Sequence, residues 1–422
     1  MKTDFYGWKL LVAMWCVLFV NLAFPFYGAS VINTYMALDF NLDRRILGLI
    51  VTVFTLTSGL NSPVAAFVIN KIGVRYTMLI GGSLILLSAL TMASFVDSGM
   101  QAVVIFGVIA GTGVVSGGAL TAQAIVANWF VRRRALALSL VLSAPGIGGF
   151  IAAPLLNHVI SSADGNWRVG WWLVAGLCCF SISVTALFIK DKPANIGQFP
   201  DGIAPGAKSD QGSGHESHSR FKVYRTTEDW KFSEAIRQPA LWLVMFCVIG
   251  FGSTFTLFQA HGVIHLQDLG FAPEVAARSI SIMSISTLIG NFIIGALGDR
   301  IEPRYLWVMT ISCSGLAMLL GPSVSSSFEI YPYVVLLGIG FGGSVVCVMT
   351  LLGNYFGNGP YTSVVGCTMA AQIIGSSGVP VLAGAIFDQY GSYNPIFYSL
   401  AVMCFCCLTL LLLVRPPKRQ AD

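Results

Sequence analysis

The stretch Lys190–Arg237 decides the fold, and it reads KDKPANIGQFPDGIAPGAKSDQGSGHESHSRFKVYRTTEDWKFSEAIR. It holds eight basic and seven acidic residues, and six of its first twenty residues are proline or glycine. Because so many charged and helix-breaking residues cannot form an apolar helix, the stretch must lie in water. Long apolar segments dominate the sequence on both sides of it. The stretch therefore divides the chain into two halves of similar character.

The composition of the chain is that of a membrane protein. Of its 422 residues, 55% are hydrophobic and only 10% are charged, and the mean hydropathy is +0.76. A soluble globular chain carries roughly 25% charged residues. The net charge of +5 comes from short basic runs between apolar segments. This placement favours membrane orientation over nucleic-acid binding, so we expect contact with a lipid bilayer and none with nucleic acid.

Twelve apolar segments are long enough to cross a bilayer, which takes about 20 residues per helix. They fall at residues 8–32, 46–69, 77–96, 101–129, 135–160, 168–189, 238–263, 272–298, 305–323, 331–356, 361–387 and 395–414. We therefore predict an all-α membrane protein with twelve transmembrane helices. Its parts are an N-terminal six-helix bundle at 1–189, a cytoplasmic central loop at 190–237, and a C-terminal six-helix bundle at 238–422.

Basic residues are distributed unevenly between the connections. Of the 24 Lys and Arg residues, 20 fall at the termini or in the even-numbered connections, the central stretch included. The odd-numbered connections hold only Arg44, Arg45 and Arg168, and Arg278 lies inside a predicted helix. Because positive charge marks the cytoplasmic side, we expect both termini and the central loop in the cytoplasm. We expect a monomer in the cell (inner) membrane.

The two halves repeat each other. Asn128-Trp-Phe closes the fourth predicted helix, and Asn354-Tyr-Phe closes the tenth. Pro154 follows the first of these motifs at the same distance along the chain as Pro380 follows the second. Two similar six-helix halves joined by one long loop are typical of a secondary transporter that rocks about a central site.

A basic loop is repeated in nearly the same register. Asn70-Lys-Ile-Gly-Val-Arg75 follows the second helix, and Asp299-Arg300-Ile-Glu-Pro-Arg304 follows the eighth. Arg side chains at helix ends offset the negative end of the helix dipole and can tie neighbouring helices together. Because such ties must break when the halves open, we interpret Asn70, Arg75, Asp299, Arg300 and Arg304 as gating residues.

At these residues the chain resembles the major facilitator superfamily. The second loop, from Gly295 to Arg304, is similar to that family's G-x-x-x-D-R-x-x-x-R loop, and Asn70 replaces the expected Asp in the first copy. Further stretches resemble the monocarboxylate transporter and oxalate/formate antiporter branch. They are Tyr6-Gly-Trp8, Asn128-Trp-Phe-Val-Arg-Arg-Arg-Ala-Leu-Ala137, Lys192-Pro…Gly197…Pro200-Asp-Gly202, Ser233-Glu-Ala-Ile-Arg-Gln-Pro-Ala-Leu-Trp242 and Asp388-Gln-Tyr-Gly-Ser-Tyr393.

The resemblance implies the twelve-helix major facilitator fold and transport of a small organic acid, but the branch's usual charges are missing. Branch members carry an Arg on helix 8 where this chain has Asn291, and lactate-type members an Asp where it has Thr287. The first helix contains no charged residue between Lys9 and Asp39. The resemblance therefore does not identify lactate as the substrate.

Two residues inside the predicted C-terminal bundle offer other charge. An arginine inside a bilayer costs about 2.5–3.5 kcal/mol on insertion scales and usually faces a cavity. Arg278 and His261 stand eight or nine residues on either side of the turn at Leu269-Gly270, so we expect them at the same depth. Arg278 could bind a carboxylate or extend to the headgroups, and His261 could carry a proton or be structural.

Other polar residues near the middle of predicted helices could bind substrate or only link helices, and we weigh the two roles evenly. Asn291 and Thr287 lie on one face of helix 8, with Ser284 one turn earlier. Asn21 on helix 1 and Gln372 on helix 11 complete the candidate substrate-binding set.

No Walker loop or hydrolase motif occurs in a workable context, and the ten cysteines lie in apolar segments as packing residues. We therefore expect no enzyme activity, no catalytic residues, no cofactor and no metal site. Our preferred function is secondary active transport of a small organic acid by alternating access, coupled to protons. The alternative is efflux of an amphipathic or neutral compound.

Overall fold

The computed structural model describes residues 5–42, 44–203 and 223–417, and leaves the side chains of residues 44, 45, 273, 274 and 277 outside the description. Contacts within the chain group it into two compact units. The first contains residues 1–132 and 140–210, and the second residues 133–139 and 211–422. Part of the predicted central loop, residues 204–222, lies outside the described residues.

Six spans precede the central loop. They are α1 (Gly7–Asp39), α2 (Arg44–Leu60 followed by Ser62–Ile72), α3 (Val74–Ser94), α4 (Gly99–Trp129), α5 (Arg134–Ser161) and α6 (Trp167–Phe188). The two pieces of α2 meet at an angle of 45°. The break falls at Asn61, directly before Ser62-Pro63, because proline favours the first turn of a new helix over a helix interior.

Six more spans follow. They are α7 (Pro239–Asp268), α8 (Pro273–Leu297), α9 (Pro303–Leu320), α10 (Ser327–Phe356), α11 (Tyr361–Tyr390, broken between Ser376 and Val379) and α12 (Asn394–Leu413). Within the described part of the chain, eleven helices are long and apolar enough to cross a membrane, and the bent α2 makes a twelfth. The predicted twelve-helix class is confirmed.

Two spans run further than their apolar pattern. The helix of α1 continues from the predicted residue 32 to Asp39, and α7 continues from 263 to Asp268. Both extensions mix polar residues with apolar ones and end in an aspartate, so the continuous apolar pattern stops before them. Three spans also contain π-helical turns, which occur in α1 (Phe19–Gly28), α4 (Val103–Ala110) and α7 (Phe258–Gly262). Such turns are frequent at functional sites.

Glycines let the helices of each unit approach closely. In the first unit, a Cβ on Gly81 of α3 would overlap the backbone nitrogen of Gly117 on α4. In the second, a Cβ on Gly342 of α10 would overlap the carbonyl oxygen of Thr287 on α8. An apolar side chain is solvated equally well by lipid and by the protein interior, so burying it does not drive helices together. Membrane helices associate instead through close backbone packing, which small residues permit.

Candidate functional site

The polar face of α8 is partly used within the helix itself. Thr287 is half-buried, and its hydroxyl donates to the carbonyl of Met283 over 2.9 Å. The Asn291 side chain is only 5% exposed, and its amide oxygen has no partner among the described residues. A buried carbonyl without a hydrogen bond costs about 1–3 kcal/mol. Asn291 therefore holds an unused acceptor in the interior of the second unit.

Arg278 lies on the first turns of α8 with its side chain exposed. No side chain in the described part of the chain hydrogen-bonds to it or forms an ion pair with it. The charge therefore remains available to a ligand or to a headgroup.

His261 is held by two contacts. Its Nδ1 atom is 3.1 Å from the Tyr393 hydroxyl, and its Nε2 atom is 3.0 Å from the carbonyl oxygen of Pro380. Neither contact involves Arg278, so the pairing of the two residues across the hairpin stays a prediction. The histidine sits in the π-helical turn Phe258–Gly262, where the wider turn changes the direction of the side chains.

An aromatic cluster surrounds Tyr393. Its ring stacks on Phe387 with centroids 4.6 Å apart, and the His265 ring meets its edge at 5.8 Å. His265 is buried, and its Nε2 atom bonds the carbonyl of Gly321 over 3.0 Å. This ring packing fixes Tyr393 beside His261.

Asn21 has a structural role in the first unit. Its amide nitrogen donates to the Gly117 carbonyl over 2.8 Å, and its amide oxygen accepts the Ser181 hydroxyl over 2.8 Å. The side chain is 1% exposed. Both ends of the amide thus join α1 to α4 and α6, and a substrate-binding role for Asn21 stays a prediction.

Gln372 lies against α7 in the second unit. A Cβ on Gly252 would stand 2.8 Å from its Cγ and 3.1 Å from its Nε2. The side chain is half-buried. Gly252 thus provides the space that Gln372 occupies, and the amide stays in the proposed set.

The loop between α8 and α9 caps another helix. The Asp299 carboxylate accepts the backbone N–H of Ala135 over 2.9 Å and that of Leu136 over 3.1 Å. These are the first turns of α5, whose residues 133–139 group with the second unit. A carboxylate at a helix N-terminus satisfies free N–H groups and complements the positive end of the dipole.

Arg134 begins α5 and is buried in the second unit. Its guanidinium donates to the Asn358 side chain over 2.5 Å and lies 5.7 Å from the centre of the Tyr361 ring. A Cβ on Gly353 would overlap its Nη1 atom, so only glycine leaves room for it. Arg134 and Asp299 together fix the start of α5 against the α8–α9 loop and the α10–α11 turn.

The end of the central loop docks on the same region. The Glu302 carboxylate accepts the Tyr224 backbone N–H over 2.8 Å, and the Thr226 N–H donates to the Asn354 carbonyl over 2.8 Å. The Trp230 ring meets the edge of Phe356 with centroids 5.8 Å apart. Residues 223–230 are therefore part of the second unit and not a free linker.

Burial raises the pKa values of both acids in the α8–α9 loop, Asp299 and Glu302. It raises the pKa of the Asp299 carboxyl, against the lowering effect of the Ala135 and Leu136 N–H groups and of nearby Arg225 and Arg134. Burial likewise raises the pKa of Glu302, against the Tyr224 N–H and nearby Arg304.

The remaining arginines of the second loop differ in role. Arg304 donates to the Val414 carbonyl over 2.5 Å and to the Tyr305 hydroxyl over 2.7 Å, so it ties α9 to the end of α12. Arg300 is exposed. Such a tie at a helix end is what the sequence predicts for a gating residue, and the gating role itself stays a prediction.

The corresponding loop of the first unit is held by an acid that sequence analysis missed. Asp191 accepts the Arg75 backbone N–H over 2.7 Å at the start of α3. Gly73 has a φ of +91°, and a Cβ there would stand 2.5 Å from a carboxylate oxygen of Asp191. The Arg75 guanidinium donates to the Ala186 carbonyl, and Asn70 is exposed at the end of α2.

The sequence did not predict these carboxylate-to-backbone contacts because they connect residues that lie far apart along the chain. Asp201 likewise accepts the Val131 and Arg132 N–H groups over 3.1 and 2.8 Å. The only signal in the sequence is that Asp191 and Asp201 lie among proline and glycine directly after α6. This local pattern does not show which backbone N–H groups the two carboxylates accept.

The sequence and the fold were compared with known proteins. The family model described as Major Facilitator Superfamily matches residues 14–366 and 262–422. The chain belongs to the Major Facilitator Superfamily, so it is a multi-pass membrane protein of a transporter family.

Several curated relatives are monocarboxylate transporters. The chain is 27% identical to monocarboxylate transporter 13 of Bos taurus over 342 residues, which is 80% of this chain and 72% of that protein. It is 26% identical to monocarboxylate transporter 12 of Rattus norvegicus over 386 residues, 86% of this chain and 76% of that protein.

Two solved structures share the fold. A variant of the E. coli fucose:proton symporter FucP matches with a TM-score of 0.71 and 15% identity, over 98% of this chain and 100% of that one. The human organic anion transporter MFSD10 matches with a TM-score of 0.66 and 16% identity, over 97% and 99% of the two chains. At these identities the likeness shows the fold alone.

Proposed function

We propose that this protein is a secondary active transporter that moves a small, monocarboxylate-like organic acid together with protons by alternating access. The observation that carries the proposal is the set of monocarboxylate transporters that match 80% or more of the chain. The names of those relatives give monocarboxylates as their substrate class. We propose the same class for this chain because its second unit offers such a molecule one cation and several uncharged polar groups.

Arg278 is the group proposed to bind the carboxylate. It is the sixth residue of α8 (Pro273–Leu297), and an ionisable residue in a membrane-spanning helix is usually retained for function. A guanidinium can bind a carboxylate through two parallel hydrogen bonds. The exposed side chain has no partner among the described residues that would compete.

Asn291, Thr287 and Gln372 are proposed to bind the uncharged part of the substrate. Asn291 supplies a buried acceptor that no described residue uses. It fits a hydroxyl or other donor on the substrate. Because positions 287 and 291 are uncharged, the same residues also suit the second candidate function, efflux of an amphipathic or neutral compound.

We propose that the helix caps control the opening of the transporter. Asp299→Asn keeps one acceptor oxygen, so it loses one of the two N–H bonds to the start of α5. The variant should transport more slowly while it binds substrate as the wild type does. Asp164→Asn, at an exposed acid in the turn after α5, is the matched control. If purified Asp299→Asn transports at the wild-type rate, the loop serves only to set the orientation in the membrane and has no gating role.

The proposed setting is the cell inner membrane, with a monomeric protein whose termini are cytoplasmic. A screen of the purified protein tests the substrate class. A ligand that binds only the folded state raises the unfolding temperature, so short-chain carboxylic and hydroxycarboxylic acids should do so. Stabilisation by neutral amphipathic compounds alone would favour the efflux function instead.

A further inference from the structure

The hydrogen bonds of His261 fix which ring nitrogen carries the proton. A carbonyl oxygen can only accept, so Nε2 must donate its N–H to the Pro380 carbonyl 3.0 Å away. The opposite tautomer would place a nitrogen lone pair against an oxygen lone pair. In the neutral ring, Nδ1 is then unprotonated and accepts the Tyr393 hydroxyl over 3.1 Å. Nδ1 is therefore the ring atom that gains a proton when the imidazole becomes charged.

The basic atom is covered by Tyr393. The Tyr393 side chain is 5% exposed and is held by the Phe387 stack and the edge of His265. A proton that reaches Nδ1 along its lone pair must therefore come through the phenol. The phenol oxygen can donate to a neutral imidazole and accept from a charged one, so both protonation states keep their hydrogen bonds.

Two exposed carboxylates interact electrostatically with the phenol. Asp268 at the end of α7 and Asp388 near the end of α11 are both exposed. Burial raises the pKa of Tyr393, and the charges of these two carboxylates raise it further. Other ionisable groups on the helices around the cluster include His265 on α7, Arg278 on α8, Glu329, Tyr331 and Tyr333 on α10, Tyr390 on α11 and Tyr398 on α12. The phenol therefore stays protonated and can donate its hydrogen bond to His261.

We propose that Tyr393 is the residue through which His261 receives and releases its proton. The phenol gives its proton to Nδ1 and takes one proton from a hydronium ion, which is left as water, or from a protonated carboxyl group of Asp268 or Asp388, which is left as carboxylate. The phenol is unchanged at the end, and His261 has gained one proton and one positive charge. This inference rests on the proposed proton-coupled transport, to which it adds the path of the proton.

Tyr393→Phe is the variant that tests the relay, because it keeps the ring contacts and removes only the hydroxyl. In proteoliposomes loaded with pyruvate, exchange for radiolabelled pyruvate should stay within about twofold of the wild type, because hydrogen bonds off the substrate path contribute little to it. Stimulation of net uptake by an inward proton gradient should be lost, as in His261→Gln. The control Tyr390→Phe alters an exposed tyrosine nearby and should behave as the wild type.

Retained gradient stimulation in Tyr393→Phe would overturn the relay, and so would a parallel loss of exchange and stimulation, which indicates a structural role. A second measurement needs no substrate. Nuclear magnetic resonance of protein with isotope-labelled histidine, with His261→Gln to assign the signal among five histidines, reports the tautomer. We expect Nε2–H at neutral pH. Nδ1–H would overturn the relay, whereas a wild type that transports no acid while His261 shows Nε2–H would contradict only the proposed function.

Discussion

Arg278 places a full positive charge on the second turn of α8, on a side chain that is exposed. The proposed role depends on the shape of the group as well as on its charge. A guanidinium presents two parallel donors to a carboxylate, whereas the lysine ammonium acts as a point charge. Substitutions at this one residue therefore separate anion binding from anchoring at the membrane surface.

Arg278→Gln should lower organic-acid uptake by tenfold or more. A hydrogen bond to a charged group contributes about 1.5–3 kcal/mol, and each 1.4 kcal/mol is about a tenfold change. Arg278→Lys should give an intermediate rate. Uptake into proteoliposomes measures both, and Arg237→Gln, an exposed arginine before α7, is the control. Normal uptake by Arg278→Gln would assign the residue to the headgroups and favour a neutral substrate.

The pH dependence of stability should report Asp299. Its folded-state pKa is raised by burial, so the folded state binds this proton more tightly than the unfolded state does. The resulting stabilisation is full below the unfolded pKa and is lost as pH rises through the folded value. The unfolding temperature of the wild type relative to Asp299→Asn should therefore fall as pH rises from about 3.8, the ordinary value, to the raised value.

A rise with pH in the difference between the two unfolding temperatures would mean that the two N–H bonds lower the pKa of Asp299 by more than burial raises it. Glu302→Gln is the matched comparison, because burial raises the pKa of Glu302 in the same direction.

At the residue scale, the sequence located the polar groups but not their partners. Asn21 and Asn291 are both asparagines in apolar helices, and the sequence does not separate them. Asn21 is bonded at both ends, whereas the amide oxygen of Asn291 has no partner among the described residues. The difference depends on which residues of other helices face them, and a single sequence does not contain that information.

Close glycine contacts set the helix pairs of each unit. Gly342 on α10 meets the backbone of Thr287 on α8, whereas a Cβ on Gly384 of α11 would have no neighbour within 4 Å. Both glycines lie in apolar helices of the second unit. They form a matched pair for testing how much of the packing depends on glycine at the contact.

Gly342→Ala should lower the unfolding temperature of the purified protein, because the methyl group would overlap a carbonyl oxygen that cannot move alone. Overpacking of this kind costs about 1–3 kcal/mol. Gly384→Ala should be neutral or slightly stabilising, since alanine favours helix by up to about 1 kcal/mol. Equal unfolding temperatures for the two variants would contradict the close packing of α8 and α10.

At the element scale, the spans were predictable and their details were not. Apolar length locates each helix, because a bilayer sets the length that must be covered. Residues 33–39 at the end of α1, which mix polar and apolar side chains, lie beyond that signal. The π-helical turns in α1, α4 and α7 leave no apolar pattern of their own, so they also escaped prediction.

At the scale of the whole molecule, the chain groups into two compact units, and residues 133–139 are assigned apart from the residues on either side of them. They begin α5 and yet group with the second unit, where Asp299 and the buried Arg134 hold them. Their affiliation depends on contacts between residues that lie far apart along the chain, such as Ala135 and Asp299. No local pattern predicts such contacts.

The orientation of the molecule is tested by cysteine labelling. In a variant without native cysteines, Gly212→Cys should react with an impermeant reagent only after the membrane is permeabilised, because basic loops stay in the cytoplasm. Ser162→Cys, an exposed residue in the turn after α5, should react in intact cells. The reverse pattern would invert the proposed topology.

Coupled movement of acid and proton is the central claim, and external pH measures it most directly. When pyruvate, or the acid that stabilises the protein most, is added to proteoliposomes in weakly buffered medium, the medium should become alkaline as each carboxylate enters with a proton. A proton ionophore should abolish acid accumulation, and Arg278→Gln should abolish both signals. Acid uptake with no change in external pH, or accumulation that persists with the ionophore, would contradict proton-coupled transport.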